Sequence, residues 1–262
     1  DRFRREHECE FLIFDETLIS SIHLADMEGV APVETTGQVR WFKRPTPGMT
    51  YLVSLDPSMG TGGDYAGIQV FELPTFEQVA EWHHNMTPMN QQIRILQGIN
   101  KHIHDTILEK DSTASPQIFY SMENNTIGEA ALMRVMDIGE ENIIGMFLSE
   151  PIRKGHRRKF RRGFNTTAKH KIDACTKFKE LVESGKMKIN SQLLISELKD
   201  FVATGLSYKA KPGQHDDLVM SCLLMTRMMK VLADFDPKIF EKWTDRTSEL
   251  TTPMPIFGNF YG

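Results

Sequence analysis

Cysteine is scarce in this chain. The three present, Cys9, Cys175 and Cys222, lie far apart with no CxxC pair, which argues against a disulfide framework or a thiolate zinc site and points to a reducing compartment. No apolar run approaches the roughly 18 residues of a membrane-spanning helix, and the charged start DRFRREHECE is unlike a secretory signal. Association with a membrane is therefore not expected. GxxxxGK[ST] is missing, and GTGGDYAG does not match GxGxxG, so neither an ATP-binding P-loop nor a dinucleotide site is expected here. Positive charge is in short supply overall: the formal net charge is -4, which on average discourages binding to a polyanion. The average conceals one segment, RKGHRRKFRRGFNTTAKHK from Arg153 to Lys171, with nine Lys/Arg in nineteen positions and no acid. Such a run is either a solvated loop or an electrostatic contact for a polyanion, and its position must decide.

What is present reads as a mixed α/β chain. At 40% hydrophobic and 25% charged residues the composition suits a soluble globular protein with a sizeable core. Residues 1–48, with FLIF, LISSIHLADM and the polar stretch EGVAPVETTGQVRWFKRPTPG, read as an N-terminal segment and linker. Residues 49–235 read as the domain, and residues 236–262, ending PMPIFGNFYG, as a tail. Strands are expected at Tyr51–Leu55, Ala66–Leu73, Glu77–His84, Gln117–Met122 and Ile143–Phe147, from short apolar, β-branched and aromatic runs. Met89–Leu108 carries Ile93, Leu96, Ile99, Ile103 and Ile107 at helical spacing. Thr126–Met136, Thr167–Glu183 and Leu193–Phe201 are further helices, and Asp216–Leu232 is a long, strongly apolar one suited to packing on a sheet.

Acids stand at the edges of three of these apolar segments. Asp56 ends the first strand in YLVSLDPSMGTGGDYAG, Glu123 ends another in QIFYSMENNTIGEAAL, and Asp216 and Asp217 open the last helix in GQHDDLVMS. Each has a bland alternative: Asp-Pro begins turns, and acids at a helix start interact well with its dipole. Together they are more specific, because like charges gathered in one cleft repel unless a hard divalent cation with oxygen ligands neutralises them. Magnesium or manganese fits best, and two such ions can activate a water for in-line attack on a phosphodiester. His102 and His104 are two apart and face different ways on a helix, so with His83 and His84 they read as surface residues. His215, beside the acidic pair, is a possible helper or outer ligand, or a plain loop histidine.

The stretches YLVSLDPSMGTGGDYAG, SMENNTIGEAAL, GFNTTAKHKIDA and GQHDDLVMS resemble, in the expected order, the C-terminal nuclease domain of the large terminase subunit of tailed bacteriophages, contractile-tailed type. The resemblance covers about residues 50–232, and RREHECEF and ETLIS are similar to the exit from that family's ATPase domain. It implies a ribonuclease H-like fold, a central mixed sheet flanked by helices, and a Mg2+- or Mn2+-dependent endonuclease that cuts concatemeric double-stranded DNA during genome packaging. It also implies Asp56 and Glu123 as catalytic metal ligands, with an acid of the HDD motif as the third. Asp216 is the preferred third acid and Asp217 a second ligand or a structural acid, although two neighbours on a helix point about 100° apart and the helix start decides which faces the site. The implied partners are the portal protein, the small terminase subunit and an ATPase domain of the same protein, in the host cytoplasm and transiently on the procapsid portal. With GFNTT closing it, the basic run falls between the second and third acid motifs, so Arg157, Arg158, Arg161, Arg162, Lys169 and Lys171 become candidate phosphate contacts. No base-reading motif is present, in keeping with little sequence specificity.

Rival readings use the same residues. A resolvase or transposase of ribonuclease H-like type would share the acids without GFNTT and HDD in this frame. A non-catalytic domain docking on DNA or a portal would not need intact acids at all three motifs. An actin-like nucleotide fold would need a second loop like DPSMGTGGD, which is not found.

Overall fold

The computed structural model of the chain describes residues 16–151 and 162–235. Its centre is strand β3, Thr50–Asp56, whose side chains alternate between two cores. Leu52 joins one apolar cluster and Tyr51, Val53 and Leu55 the other, as the two-residue period of a strand buried on both faces requires. Around β3, a seven-stranded sheet runs in the order β1-β2-β5-β4-β3-β6-β7. Its other members are β1 (Glu34–Thr36), β2 (Val39–Trp41), β4 (Ala66–Leu73), β5 (Glu77–His84), β6 (Gln117–Met122) and β7 (Met146–Phe147). The β3-β4-β5 meander is antiparallel, while β3-β6 and β6-β7 are parallel.

Helices cover both faces. On one, α2 (Met89–Lys110) and α3 (Thr126–Ile138) pack with Ile93, Leu96, Ile99, Ile103 and Ile107 turned inward, the stripe read from the sequence. On the other lie α4 (Ala168–Glu183), α5 (Gln192–Asp200) and the apolar α6 (Asp217–Phe235), which lies across β3 and β4. The result is the three-layer α/β/α arrangement expected of a mixed sheet with crossover helices. No described helix is long and apolar enough to cross a membrane, and Cys175 and Cys222 are free thiols in the core.

Several expectations change. The stretch read as a linker supplies α1 (Ser21–Asp26) and the β1-β2 hairpin, which extends the sheet through β2 against β5, and Leu18, Ile19 and Leu24 enter the core. A second hairpin, β8 (Phe201–Thr204) and β9 (Ser207–Ala210), follows α5 directly and was not anticipated. Residues 16–18 pair with it, through Leu18 N to Phe201 O at 3.0 Å and Ala203 N to Glu16 O at 2.6 Å. The expected strand at 143–147 shrinks to Met146–Phe147: after a 3-10 turn, Glu140–Asn142, the chain bends through residues 143–145, and Gly145 has a φ of 106° that breaks extended backbone. The tail at 236–262 lies outside the described residues.

Candidate metal-dependent active site

Parallel pairing of β3 with β6 sets two of the acids side by side. Leu55 is in register with Met122, so Asp56 and Glu123 leave the same end of the sheet on adjacent strands. Glu123 N donates to Leu55 O at 3.1 Å, and the Glu123 carboxyl is close enough to raise that of Asp56. Antiparallel pairing places Gly67 of β4 opposite Asp56. A Cβ on Gly67 would lie 3.0 Å from Asp217 O and 3.2 Å from Ser221 Oγ, so the bare glycine lets the first turn of α6 settle against β4, where a side chain would press it back by a few tenths of an ångström. Ser221 fastens it: its hydroxyl donates to Gly67 O at 2.7 Å and accepts from Asp56 N at 3.2 Å, and Ser54 Oγ donates to Ser221 O at 2.8 Å. Acids from β3, β6 and the start of α6 thus share one corner.

Their electrostatics follow from the crowding. Burial, then Glu123, Asp217 and Asp216, push the Asp56 carboxyl well above the usual carboxylate range. Asp217 is raised to about 6, by burial first and then Asp216, with His215 opposing and Asp64 adding to the rise. Asp216 is placed differently from its neighbour. Its carbonyl accepts from Met220 N at 2.7 Å, and its Oδ2 accepts from Ala210 N of β9 at 3.2 Å. The residue preferred from the sequence is therefore engaged in opening α6, and Asp217 acts more strongly on Asp56 than Asp216 does.

Among the described residues, no three Asp, Glu, His or Cys groups close into a finished metal cage. The donors nevertheless suit a hard divalent cation, being all carboxylate oxygens whose mutual repulsion such an ion would remove.

Glu123 is held from two directions. Asn125 Nδ2 donates to Glu123 Oε2 at 2.9 Å while its Oδ1 accepts from Gly128 N at 2.8 Å, capping α3. A Cβ on Gly128 would lie 1.8 Å from Glu123 O, so that glycine too is required by close approach. From the other side, Phe164 N donates to Met122 O at 3.2 Å, Asn124 N to Phe164 O at 2.7 Å and Asn124 Nδ2 to Arg162 O at 2.7 Å. The end of the basic run therefore lies along β6 beside Glu123. Arg227 of α6 anchors it, pairing with Glu150, donating to Asn165 O at 3.0 Å and Thr166 Oγ1 at 3.1 Å, and lying over the Phe164 ring at 5.2 Å.

The basic residues divide. Arg157, Arg158 and Arg161 lie outside the described residues. Arg162 is ion-paired with Glu140 and lies over the Phe147 ring at 5.7 Å, so its charge is already matched within the protein. Lys171 sits over the Phe201 ring at 5.3 Å. Lys169 is exposed in the first turn of α4.

The histidines also depart from a plain surface reading. His83 is largely buried and held down to about 4, chiefly by burial and then by Arg40. Its ring stacks on Tyr65 at 4.2 Å, Tyr65 meets His215 edge-on at 4.7 Å, and His215 Nδ1 lies 3.7 Å from Asp217 Oδ2. His102 packs on Trp41 at 4.3 Å, on the α2 face.

The model of the Terminase RNaseH-like domain family matches residues 53–228, a span that includes all three acid-bearing elements. The chain belongs to this family. Solved structures agree with the membership at the level of fold. This terminase domain is similar to the large terminase nuclease from thermophilic phage G20c with bound magnesium, at TM-score 0.59 and 18% identity, over 81% of this chain and 97% of that one. It is similar to the Thermus phage P74-26 large terminase nuclease domain, at 0.55 and 18%, over 78% and 91%. A human cytomegalovirus terminase nuclease domain, manganese-soaked and inhibitor-bound, matches at 0.51 and 14%, over 80% and 94%. The fold is accordingly ribonuclease H-like, as the motifs implied.

Ser221, Asn125, Arg227, Tyr65 and Glu197 were not singled out from the sequence. Only Asn125 carried a local signal, as an Asn two residues after the acid and just before a helix.

Proposed function

We propose that this terminase domain is a metal-dependent endonuclease that cuts double-stranded DNA during genome packaging, with Asp56, Glu123 and Asp217 as its metal ligands. The observation that carries the reading is the state of Asp56: a desolvated carboxyl whose nearest charged neighbours are other acids, at the edge of the sheet. An acid cluster of this kind is stable in its ionised form only with a cation in it. Bound Mg2+ or Mn2+ would supply an activated water and neutralise charge on the attacked phosphate and leaving oxygen. In support, the folds it resembles include a terminase nuclease with bound magnesium and one soaked in manganese.

The remaining work falls to the chain. Asp56 and Glu123 would hold the ion from adjacent strands and Asp217 from α6, while Asp216 opens that helix. Asn125 orients Glu123, and Ser221 ties the amide of Asp56 to α6. His215, exposed beside Asp217, is placed to meet the substrate or its water shell. Lys169 and the preceding run at 153–161 would hold the phosphate backbone without reading bases. In the full-length protein we infer an ATPase domain in the same chain, with the portal protein and small terminase subunit as partners, acting in the host cytoplasm on the procapsid portal.

Incubation with supercoiled plasmid and Mg2+ or Mn2+ tests this. Cleavage is expected from the wild type, with little or none from Asp56→Ala, Glu123→Ala and Asp217→Asn, while Asp216→Asn retains most of it. Metal-independent nicking, or full activity in the first three variants, overturns the reading. Loss in Asp216→Asn with activity kept in Asp217→Asn returns the third ligand to Asp216.

A further inference from the structure

The apolar helix α6 begins without the usual cap. Its first residues are preceded by His215 and Asp216, and the Asp216 side chain is turned to Ala210 N of β9 rather than to the helix's own amides. The free N–H groups of a helix start need acceptors, and when they are buried the need is strict. Here the acceptor comes from another helix. Glu197 of α5, a largely buried carboxylate, accepts with Oε2 from Leu218 N at 2.9 Å and from Val219 N at 3.1 Å. Its second oxygen, Oε1, faces His83 Nε2 at the end of β5 at 3.6 Å, and that nitrogen is buried with no other polar partner among the described residues. One side chain thus joins three elements, α5, β5 and the start of α6, immediately beside Asp217.

Geometry makes the consequence specific. Leu218 and Val219 directly follow Asp217, so the two bonds set both the position and the rotation of the turn that carries it. Gly67 and Ser221 fix how closely that turn approaches the sheet, but a helix end can still fray or rotate when its first amides lack partners. We infer that Glu197 is a positioning residue for metal binding: by capping α6 from α5, it holds Asp217 towards Asp56 and Glu123. This rests on the nuclease reading above. Glu197 touches neither metal nor substrate in it, and its effect passes through the backbone of residues 218 and 219.

Three substitutions separate the reach of the cap from the acid group itself. Glu197→Gln keeps the reach and an oxygen able to accept both amides but removes the titratable carboxyl. Glu197→Asp keeps a carboxyl and shortens the reach by one methylene. Glu197→Ala removes both. Mn2+ affinity of the folded full chain would be measured by calorimetry well below each variant's Tm, beside the Mn2+ concentration needed for half-maximal plasmid cleavage. Loss of a group that orients a metal ligand weakens binding by about 10- to 100-fold, and that range is expected for Glu197→Asp and Glu197→Ala, with Glu197→Gln within about 3-fold of wild type. Should Glu197→Ala not fold, the Asp and Gln variants decide. Unchanged Mn2+ affinity in folded Glu197→Asp overturns the inference, and so does a Gln variant as impaired as the Asp variant, which would make the carboxyl group itself rather than its cap the cause. A wild type that binds no Mn2+ is a different result: it removes the nuclease reading itself, and this inference with it.

Discussion

Two sets of carboxylates are taken out of water by the same sheet, and their surroundings are opposite. Glu81 of β5 and Glu72 of β4 meet donors and cations. Arg40 Nε lies 3.0 Å from Glu81 and Lys43 Nζ 2.6 Å from Glu72, and Ser191 and Gln69 also donate to Glu81. Burial raises Glu81, and Ser191 and Arg40 pull it back. Around Asp56, burial is instead reinforced by Glu123, Asp217 and Asp216. The first set is neutralised by the protein's own residues; at Asp56 the neighbours acting on the carboxyl are all acids, the arrangement that the proposed reading fills with a cation. Place in the strand separates them, since Glu72 and Glu81 lie within paired strands while Asp56 and Glu123 stand where strands end and a ligand can reach.

The contrast breaks most sharply if the two sets are exchanged by mutation. Asp56→Asn is expected to lower Mg2+-dependent cleavage by on the order of 10³-fold or more, as loss of a member of a catalytic unit does, while the metal-free protein becomes no less stable. Glu81→Ala is expected to do the reverse, lowering stability by about 2–4 kcal/mol through the donors it strands, with cleavage kept at temperatures where the variant is folded. Denaturant titration and plasmid cleavage on the same preparations check both. A destabilised Asp56→Asn with normal activity would erase the distinction.

Next in size is the pH dependence of the metal-free protein. Glu197 is raised to about 8, by burial first and with Asp217 and Asp216 adding to it, and Asp56 is raised well above its ordinary value. A carboxyl with a raised folded pKa binds its proton more tightly when folded, so its stabilisation is complete below the unfolded value and is lost as pH rises through the folded one. His83, held down to about 4, works the other way until about its unfolded value of 6.5. The window to test is therefore about pH 6.5 to 8.5, where the metal-free Tm is expected to fall by roughly 5 °C. Millimolar Mn2+ should lessen the fall by the share that comes from Asp56, which it would hold ionised, and leave the share from Glu197. A flat metal-free profile, or one that Mn2+ leaves unchanged, would count against the acid cluster as a cation site.

Which of these groups could be read from the chain depends on how local their cause is. Asp56, Glu123 and the HDD pair are legible because each interrupts an apolar segment, and the strands and helices around them are long enough for their periods to show. Strands β1 and β2 have three residues each, and β8 and β9 four each, too short for alternation to stand out from polar neighbours. Glu197 looks from sequence like any polar residue of an amphipathic helix. Its function exists only once α5 brings it 21 residues back along the chain to the amide of Leu218. Asp216 and Asp217 differ by a single residue of helix start, and only in space does Asp216 meet the Ala210 amide of β9, which is why Asp217 is the third ligand in the proposed reading.

Asn125 gives a smaller test of the acid corner, because its two jobs can be separated. Asn125→Asp keeps an oxygen to accept from Gly128 N but replaces the donor to Glu123 with a like charge. Stability is expected to stay within about 0.5 kcal/mol, since Asp caps helices as well as Asn, while cleavage falls about 10-fold. Asn125→Ala should lose about 1 kcal/mol as well as the activity. Equal cleavage by Asn125→Asp and wild type would show that Glu123 needs no such partner.

The smallest expected effect concerns cations rather than acids, and it applies the same contrast. Arg162 is matched inside the protein by Glu140 and the Phe147 ring, whereas Lys169 is exposed at the start of α4, downstream of the segment laid along Glu123. A cation already paired in the fold releases few counterions from DNA when it approaches, and an exposed one releases about 0.9 per phosphate neutralised. Lys169→Ala should therefore flatten the plot of log affinity against log salt by about one unit of slope and weaken binding alike for every sequence. Arg162→Ala should leave the slope close to wild type and instead loosen the turn at Glu140–Asn142. Fluorescence anisotropy over a salt series, with both changes made in the Asp56→Asn background so that the DNA stays intact, reads the difference directly. If Arg162 sets the slope and Lys169 does not, the Glu140 pair gives way to phosphate on binding, and the cation held by the fold is the one offered to DNA.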